Sequence, residues 1–96
     1  MTTLTKDTTF LNFGTFRSRN ISLHVYCIAG SANLTLCQSN FNTEDRYADI
    51  STRALDSATT KNLVFNVGNV STSYIGFKIA NATNNFRAEL EVAWRD

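Results

Sequence analysis

Apolar residues alternate with polar ones along most of this chain, which is the pattern of β-strands that bury one face. The weaker runs predict strands within 8–13 and 46–55. The clearest runs predict strands at 20–28, 33–38, 62–67, 73–80 and 85–95. Apolar residues nowhere keep helical spacing beyond about one turn, so no long helix is predicted. The pattern therefore predicts an all-β fold, a single antiparallel β-sandwich of six to eight strands.

Two of the connections are short enough to predict hairpins. Gly30-Ser31 fits a two-residue type II′ turn, because that turn needs a positive φ at its first central position. The predicted register sets Val25 opposite Leu36, so both strands bury the same face. The loop 81–84 is predicted to join the last two strands as a second hairpin, with Phe77 opposite Ala88.

The two cysteines, Cys27 and Cys37, fall on different faces of the first predicted hairpin. A register that paired them would expose Leu34 and Leu36, at a cost of roughly 3–6 kcal/mol. Closing so short a loop with a disulfide returns only about 2–3 kcal/mol. We therefore expect free thiols and a reducing compartment during assembly.

The regularity of the alternating pattern divides the chain into two parts. Residues 1–19 predict an irregular N-terminal arm or a first strand, and residues 20–96 predict the β-sandwich domain. The N-terminus has no apolar core of a secretory signal, and no apolar run approaches the roughly 20 residues that span a bilayer. We expect synthesis in the cytoplasm and no membrane partner.

Charge argues against a nucleic-acid partner. The formal net charge is +1, and the only basic concentration is Lys6 with Arg17 and Arg19. Binding driven by phosphate contacts normally needs about six or more of them. The apolar fraction of 43% indicates a folded domain.

Candidate catalytic groups are sparse, and we expect no enzyme, cofactor or metal site. His24 is the only histidine, and the predicted hairpin sets it opposite Cys37. A nucleophile of that kind needs a third orienting group, and a zinc site needs further ligands. The acidic cluster of Glu44, Asp45 and Asp49 lacks the spacing of a Ca²⁺ loop. Glu89 and Glu91 are flanked by arginines, which favours a surface ladder of charges.

Five short segments carry a resemblance to a known group of proteins. They are Leu34–Asn40, Tyr47–Ile50, Leu63–Val67, Tyr74–Ile79 and Ala88–Val92. Their order and content resemble those of small structural proteins of tailed bacteriophages. The resemblance implies a jelly-roll sandwich that serves as a capsid decoration, head-fibre or tail accessory module. It implies a virion protein made in the host cytoplasm, with the major capsid protein or other virion proteins as partners, self-association, and no catalytic residues.

Within that interpretation, the residues outside the predicted core are the candidate interface. An aromatic arm is suited to clamp neighbouring capsid subunits, and a strand packed on its own sandwich is the alternative. The candidate interface residues are Phe10, Phe13, Phe16, Arg17 and Arg19.

A second hypothesis is a glycan-binding module of a tail or fibre. Sugar sites use exposed aromatic rings with amide or carboxylate groups nearby. The candidate platform is Tyr26, Tyr47 and Tyr74.

Overall fold

A computed structural model describes residues 2–15 and 20–95. In these residues the chain forms eight β-strands, and a single 3-10 turn (Glu44–Arg46) precedes the fifth. The strands are β1 (Thr2–Thr5), β2 (Phe10–Gly14), β3 (Asn20–Ala29), β4 (Ser31–Ser39), β5 (Ala48–Asp56), β6 (Asn62–Val67), β7 (Tyr74–Ala80) and β8 (Arg87–Arg95).

The strands form two four-stranded antiparallel sheets. Sheet I has the order β1-β8-β3-β6, and sheet II has the order β2-β7-β4-β5. Eight antiparallel strands distributed in this way between two packed sheets form a jelly roll. The predicted fold class, an antiparallel β-sandwich of six to eight strands, is confirmed.

Both predicted hairpins are wrong. Strands β3 and β4 lie in different sheets, and Val25 faces Leu63 and Leu90 instead of Leu36. Gly30 does have a positive φ of 71°, but the turn carries the chain from one sheet to the other. A hairpin and a crossing between sheets both bury the same alternate residues, so periodicity could not distinguish them.

The same correction applies to the end of the chain. Strand β7 lies in sheet II and β8 in sheet I, so Phe77 pairs with Leu11 and Leu36. Ala88 pairs with Leu4 and Cys27. The predicted pairing of Phe77 with Ala88 is therefore wrong.

One core lies between the sheets. Phe65 of sheet I meets Phe77 of sheet II edge to face, with ring centroids 5.1 Å apart. Leu4 of β1, a strand that the apolar pattern did not predict, is fully buried in this core. The other members are Ile21, Leu23, Val25, Cys27, Ala32, Leu34, Leu36, Leu55, Leu63, Ile75, Ile79, Phe86, Ala88 and Leu90.

The crossing at Gly30 generates a stability prediction. A Cβ added there would lie 2.7 Å from Asn85 Oδ1 and 2.9 Å from the Cα of Phe86. The left-handed backbone adds its own cost for any L side chain. We expect Gly30→Ala to lower the free energy of unfolding by about 2 kcal/mol, measured by denaturant titration.

Gly68→Ala is the matched control for this substitution. A Cβ at Gly68 meets nothing closer than Asn20 Oδ1 at 3.4 Å. Among the described glycines, Gly30 is the one with a positive φ. If Gly68→Ala lowered the free energy of unfolding as much as Gly30→Ala, this explanation of the crossing would be wrong.

Candidate functional site

The outer face of sheet I carries three large apolar side chains that solvent reaches. On β3, Tyr26 is 45% exposed and Ile28 is 44% exposed, and they alternate with the buried Cys27. On the neighbouring β6, Val64 is 41% exposed. Phe41 and Ile50 are the other exposed large apolar residues among those described, and they belong to the side of sheet II. We call Tyr26, Ile28 and Val64 the sheet I patch.

Polar groups lie within and beside the sheet I patch. His24 lies between Val64 and Glu91 in the register, and its Nε2 is 2.8 Å from Asn62 Oδ1. Glu89 lies opposite Tyr26 on the other neighbouring strand. Because His24 and Asn62 lie between Tyr26 and Val64, the patch is a mixed surface of apolar and polar side chains. Protein–protein interfaces are commonly mixed in this way.

The segment 40–47 covers the part of the outer face of sheet II around Gly76 and Cys37. Tyr47 at its end is only 7% exposed, and its ring meets that of Phe10 edge to face at a centroid distance of 5.0 Å. Asn12 Nδ2 donates a hydrogen bond to the Tyr47 hydroxyl at 3.3 Å, and also bonds Asn42 Oδ1. Aromatic and amide contacts thus attach the segment to β2.

A glycine makes room for this cover. A Cβ at Gly76 would lie 3.1 Å from Tyr47 Cε2 and 3.3 Å from Cys37 Sγ, so a larger residue would displace the tyrosine ring. Gly76 and Cys37 are paired in the register on adjacent strands. The ring therefore packs over the thiol, and Cys37 has no exposed surface.

Hydrogen bonds fix the start and the tip of the same segment. Ser39 Oγ donates to the carbonyl of Arg46 at 3.0 Å and accepts from the backbone N–H of Phe41 at 2.8 Å. Asn40 Oδ1 accepts from the backbone N–H of Ser73 at 2.9 Å. At the tip, the Arg46 guanidinium lies 4.9 Å from the centroid of the Phe41 ring, which is 56% exposed.

The predicted neighbourhood of His24 and Cys37 does not form. His24 is on the outer face of sheet I, whereas Cys37 lies under Tyr47 on sheet II. Desolvation by burial raises the pKa of Cys37, an effect that nearby Lys78 partly offsets. Burial also raises the pKa of Cys27, and both thiols are free. A raised pKa leaves less thiolate at neutral pH, so neither thiol is an activated nucleophile.

The acidic side chains of this region do not form a metal site. Glu44 and Asp45 are exposed in the 3-10 turn, and Asp49 pairs with Lys78 at 2.7 Å. Within residues 2–15 and 20–95, no group of three or more His, Cys, Asp or Glu side chains could hold a metal ion. No helix in the same residues is long and apolar enough to cross a membrane.

A cavity of about 300 Å³ lies where β3 begins and where β6 and β8 end. Its described lining is Asn20, Ile21, Ser22, Asn66, Val67, Gly68 and Arg95. These side chains offer hydroxyl and amide groups and one guanidinium, which does not make an acid–base pair.

The structure describes two of the five predicted interface residues. Phe10 and Phe13 lie on β2, where Phe10 contacts Tyr47 and Phe13 contacts Trp94 at a centroid distance of 6.4 Å. Both rings are half-buried, Phe10 beside Tyr47 on the outer face of sheet II and Phe13 against the core. Phe16, Arg17 and Arg19 lie outside the described residues.

The three tyrosines of the predicted glycan platform are not brought together. Tyr26 is exposed on sheet I, Tyr47 is buried on sheet II, and Tyr74 is half-buried at the start of β7. The sequence reasoning also missed Ile28 and Val64, although exposed apolar residues at alternate positions of two strands were a visible signal.

The sequence matches no protein-family model and no curated protein. The interpretation of the site therefore depends on its geometry.

The cover over Cys37 generates a testable prediction. In a Cys27→Ser background, we expect Tyr47→Ala to raise the alkylation rate of Cys37 by about tenfold or more, because solvent and reagent gain access to the thiol. The rate should be followed with a thiol reagent at fixed pH. In the variants that keep Tyr47, the rate should rise with pH beyond the range of a free thiol, since burial raises the pKa of Cys37.

Tyr74→Ala is the control, because it removes another tyrosine from sheet II and leaves the cover in place. Equal rates in the two variants, or no acceleration by Tyr47→Ala, would show that Tyr47 does not shield the thiol.

Proposed function

We propose that this protein is a structural component of a bacteriophage virion, an auxiliary or decoration protein that binds the capsid surface and stabilises it. It acts through protein–protein contacts and needs no cofactor. The observation that carries the proposal is the sheet I patch, an apolar area on the outer face of a jelly roll whose core is already complete. The resemblance of the five segments to phage structural proteins indicates the class of partner.

The contrast between the two outer faces supports this choice of surface. Segment 40–47 covers the part of sheet II around Gly76 and Cys37, and its Tyr47 is buried there. The ring of Phe10 already contacts Tyr47 on the outer face of sheet II, and the ring of Phe13 contacts Trp94. Sheet I presents Tyr26, Ile28 and Val64 without such a cover among the described residues, so we propose this face as the principal contact.

An interface of standard size would take up a modest part of the protein surface. A standard interface buries about 800 Å² on each partner, and the described structure has an accessible surface of 5630 Å². Tyrosine is enriched among the few residues that supply most of the binding energy in such interfaces, so we expect Tyr26 to be the main anchor. Contacts that bridge two or more capsid subunits would hold them together against internal pressure.

Capsid binding tests this proposal. Saturable co-sedimentation with capsids of the source phage is expected, near the number of capsid subunits for a decoration protein. A ratio of only a few copies per particle would overturn decoration in favour of a neck, vertex or tail role. We expect Tyr26→Ser and Ile28→Ser each to weaken binding by roughly tenfold or more, since each removes apolar contact area.

Phe41→Ser is the matched control, because Phe41 is the most exposed large apolar residue described and lies at the tip of segment 40–47. Its binding should equal that of the unmodified protein. If Phe41→Ser weakened capsid binding and the sheet I variants did not, sheet I would not be the contact face.

A glycan-binding module is the second candidate, and one observation favours it. The exposed ring of Tyr26 lies between Asn62 and Glu89 in the register, and it therefore combines an aromatic platform with amide and carboxylate groups. Binding to a glycan panel that disappears with Tyr26→Ala and survives Tyr74→Ala would support this function. An absence of binding across the panel would eliminate it.

A further inference from the structure

Strand β6 is an edge strand of sheet I. On its outer side, no described strand bonds its backbone N–H and carbonyl groups. The N–H of Cys27 bonds the carbonyl of Lys61 at 2.7 Å, so residue 61 forms a hydrogen-bonded pair across β3 and β6. Hydrogen-bonded and non-bonded pairs alternate in an antiparallel ladder. The N–H and carbonyl groups of Asn62, Val64 and Asn66 therefore point away from β3, toward the free edge.

This edge lacks the usual features that prevent strands from pairing with other chains. The stretch Asn62–Val67 contains no charged residue and no proline, and its register against β3 is continuous. By contrast, the β4–β5 and β3–β8 pairs each contain a register shift. A flat, uncharged edge strand is a template for another strand.

The edge of β6 is complementary to itself. In an antiparallel pairing of two copies centred on Val64, the two Val64 residues face each other. Asn62 of each copy then faces Asn66 of the other, and Leu63 faces Phe65. Each of the three pairs among residues 62, 64 and 66 would exchange two backbone hydrogen bonds. The inward-facing residues of both copies would remain on the core side, since residues two apart share a face.

One side chain occupies the centre of this edge. Arg53, from the edge strand β5 of sheet II, donates a hydrogen bond from Nη1 to the carbonyl of Val64 at 3.3 Å. Its Cζ lies 5.6 Å from the centroid of the Phe65 ring, which positions the guanidinium across the gap between the sheets. The central acceptor that a second copy would use is already bonded within the chain.

We propose that Arg53 closes the β6 edge of sheet I, and that the partner it excludes is the β6 edge of a second copy of this chain. Removal of the guanidinium leaves the Val64 carbonyl unpaired within the fold. Two copies can then satisfy it by extending sheet I from one molecule into the next. This inference is independent of the proposed capsid contact, which uses the face of sheet I and not its edge.

Sedimentation velocity over a range of concentrations tests the proposal. We expect Arg53→Ala to show a sedimentation coefficient that rises with concentration more steeply than that of the unmodified protein. Amide hydrogen exchange at residues 62, 64 and 66 should slow as the protein associates, since these N–H groups enter the new ladder. Circular dichroism should show that the variant remains folded.

Two double variants separate edge pairing from association of unfolded protein. Arg53→Ala with Val64→Lys places like charges opposite each other at the centre of the pairing, and we expect it to sediment as the unmodified protein does. Arg53→Ala with Ile28→Lys adds the same charge to the same sheet away from the edge, and it should associate like Arg53→Ala alone.

The proposal is overturned if Arg53→Ala sediments like the unmodified protein. It is also overturned if the association persists with Val64→Lys, or if exchange at residues 62, 64 and 66 does not change.

Discussion

The edge-to-face contact between Phe65 and Phe77, 5.1 Å between ring centroids, lies in the core that joins the two sheets. Every strand from β3 to β8 has buried residues in this core, and β1 adds Leu4. Because each sheet commits one face to it, the other face remains for solvent or a partner. The choice of which strand enters which sheet therefore decides which side chains reach the surface together.

The two outer faces that result differ in a way that matters for function. On sheet II, Gly76 leaves space for Tyr47, and the segment that carries this ring closes over the buried Cys37. On sheet I, Tyr26, Ile28 and Val64 stay exposed beside His24 and Asn62. At the boundary between the sheets, Arg53 satisfies a carbonyl of the β6 edge. We therefore propose that the face of sheet I binds a partner and that Arg53 keeps the edge of sheet I from pairing with a second copy of the chain.

Local pattern predicted the strands well and their partners poorly. The run 62–67 was predicted as a strand and is β6, because Leu63, Phe65 and Val67 alternate clearly. The positive φ at Gly30 also followed from local chemistry. Local chemistry could not predict that β3 and β4 belong to different sheets, since a hairpin and a crossing between sheets bury the same residues. Strand β1 has the single apolar residue Leu4 and gave no periodic signal.

The candidate site was less predictable, because it depends on contacts between distant parts of the chain. Tyr47 is a lone aromatic beside a polar loop, and only Gly76, Phe10 and Asn12 make it a buried cover. Electron cryo-microscopy of decorated capsids is the most direct test of the proposal that sheet I faces the capsid. We expect jelly-roll density on the outer surface of the capsid with sheet I against the lattice. Density with sheet II against the lattice, or capsids without added density, would contradict it.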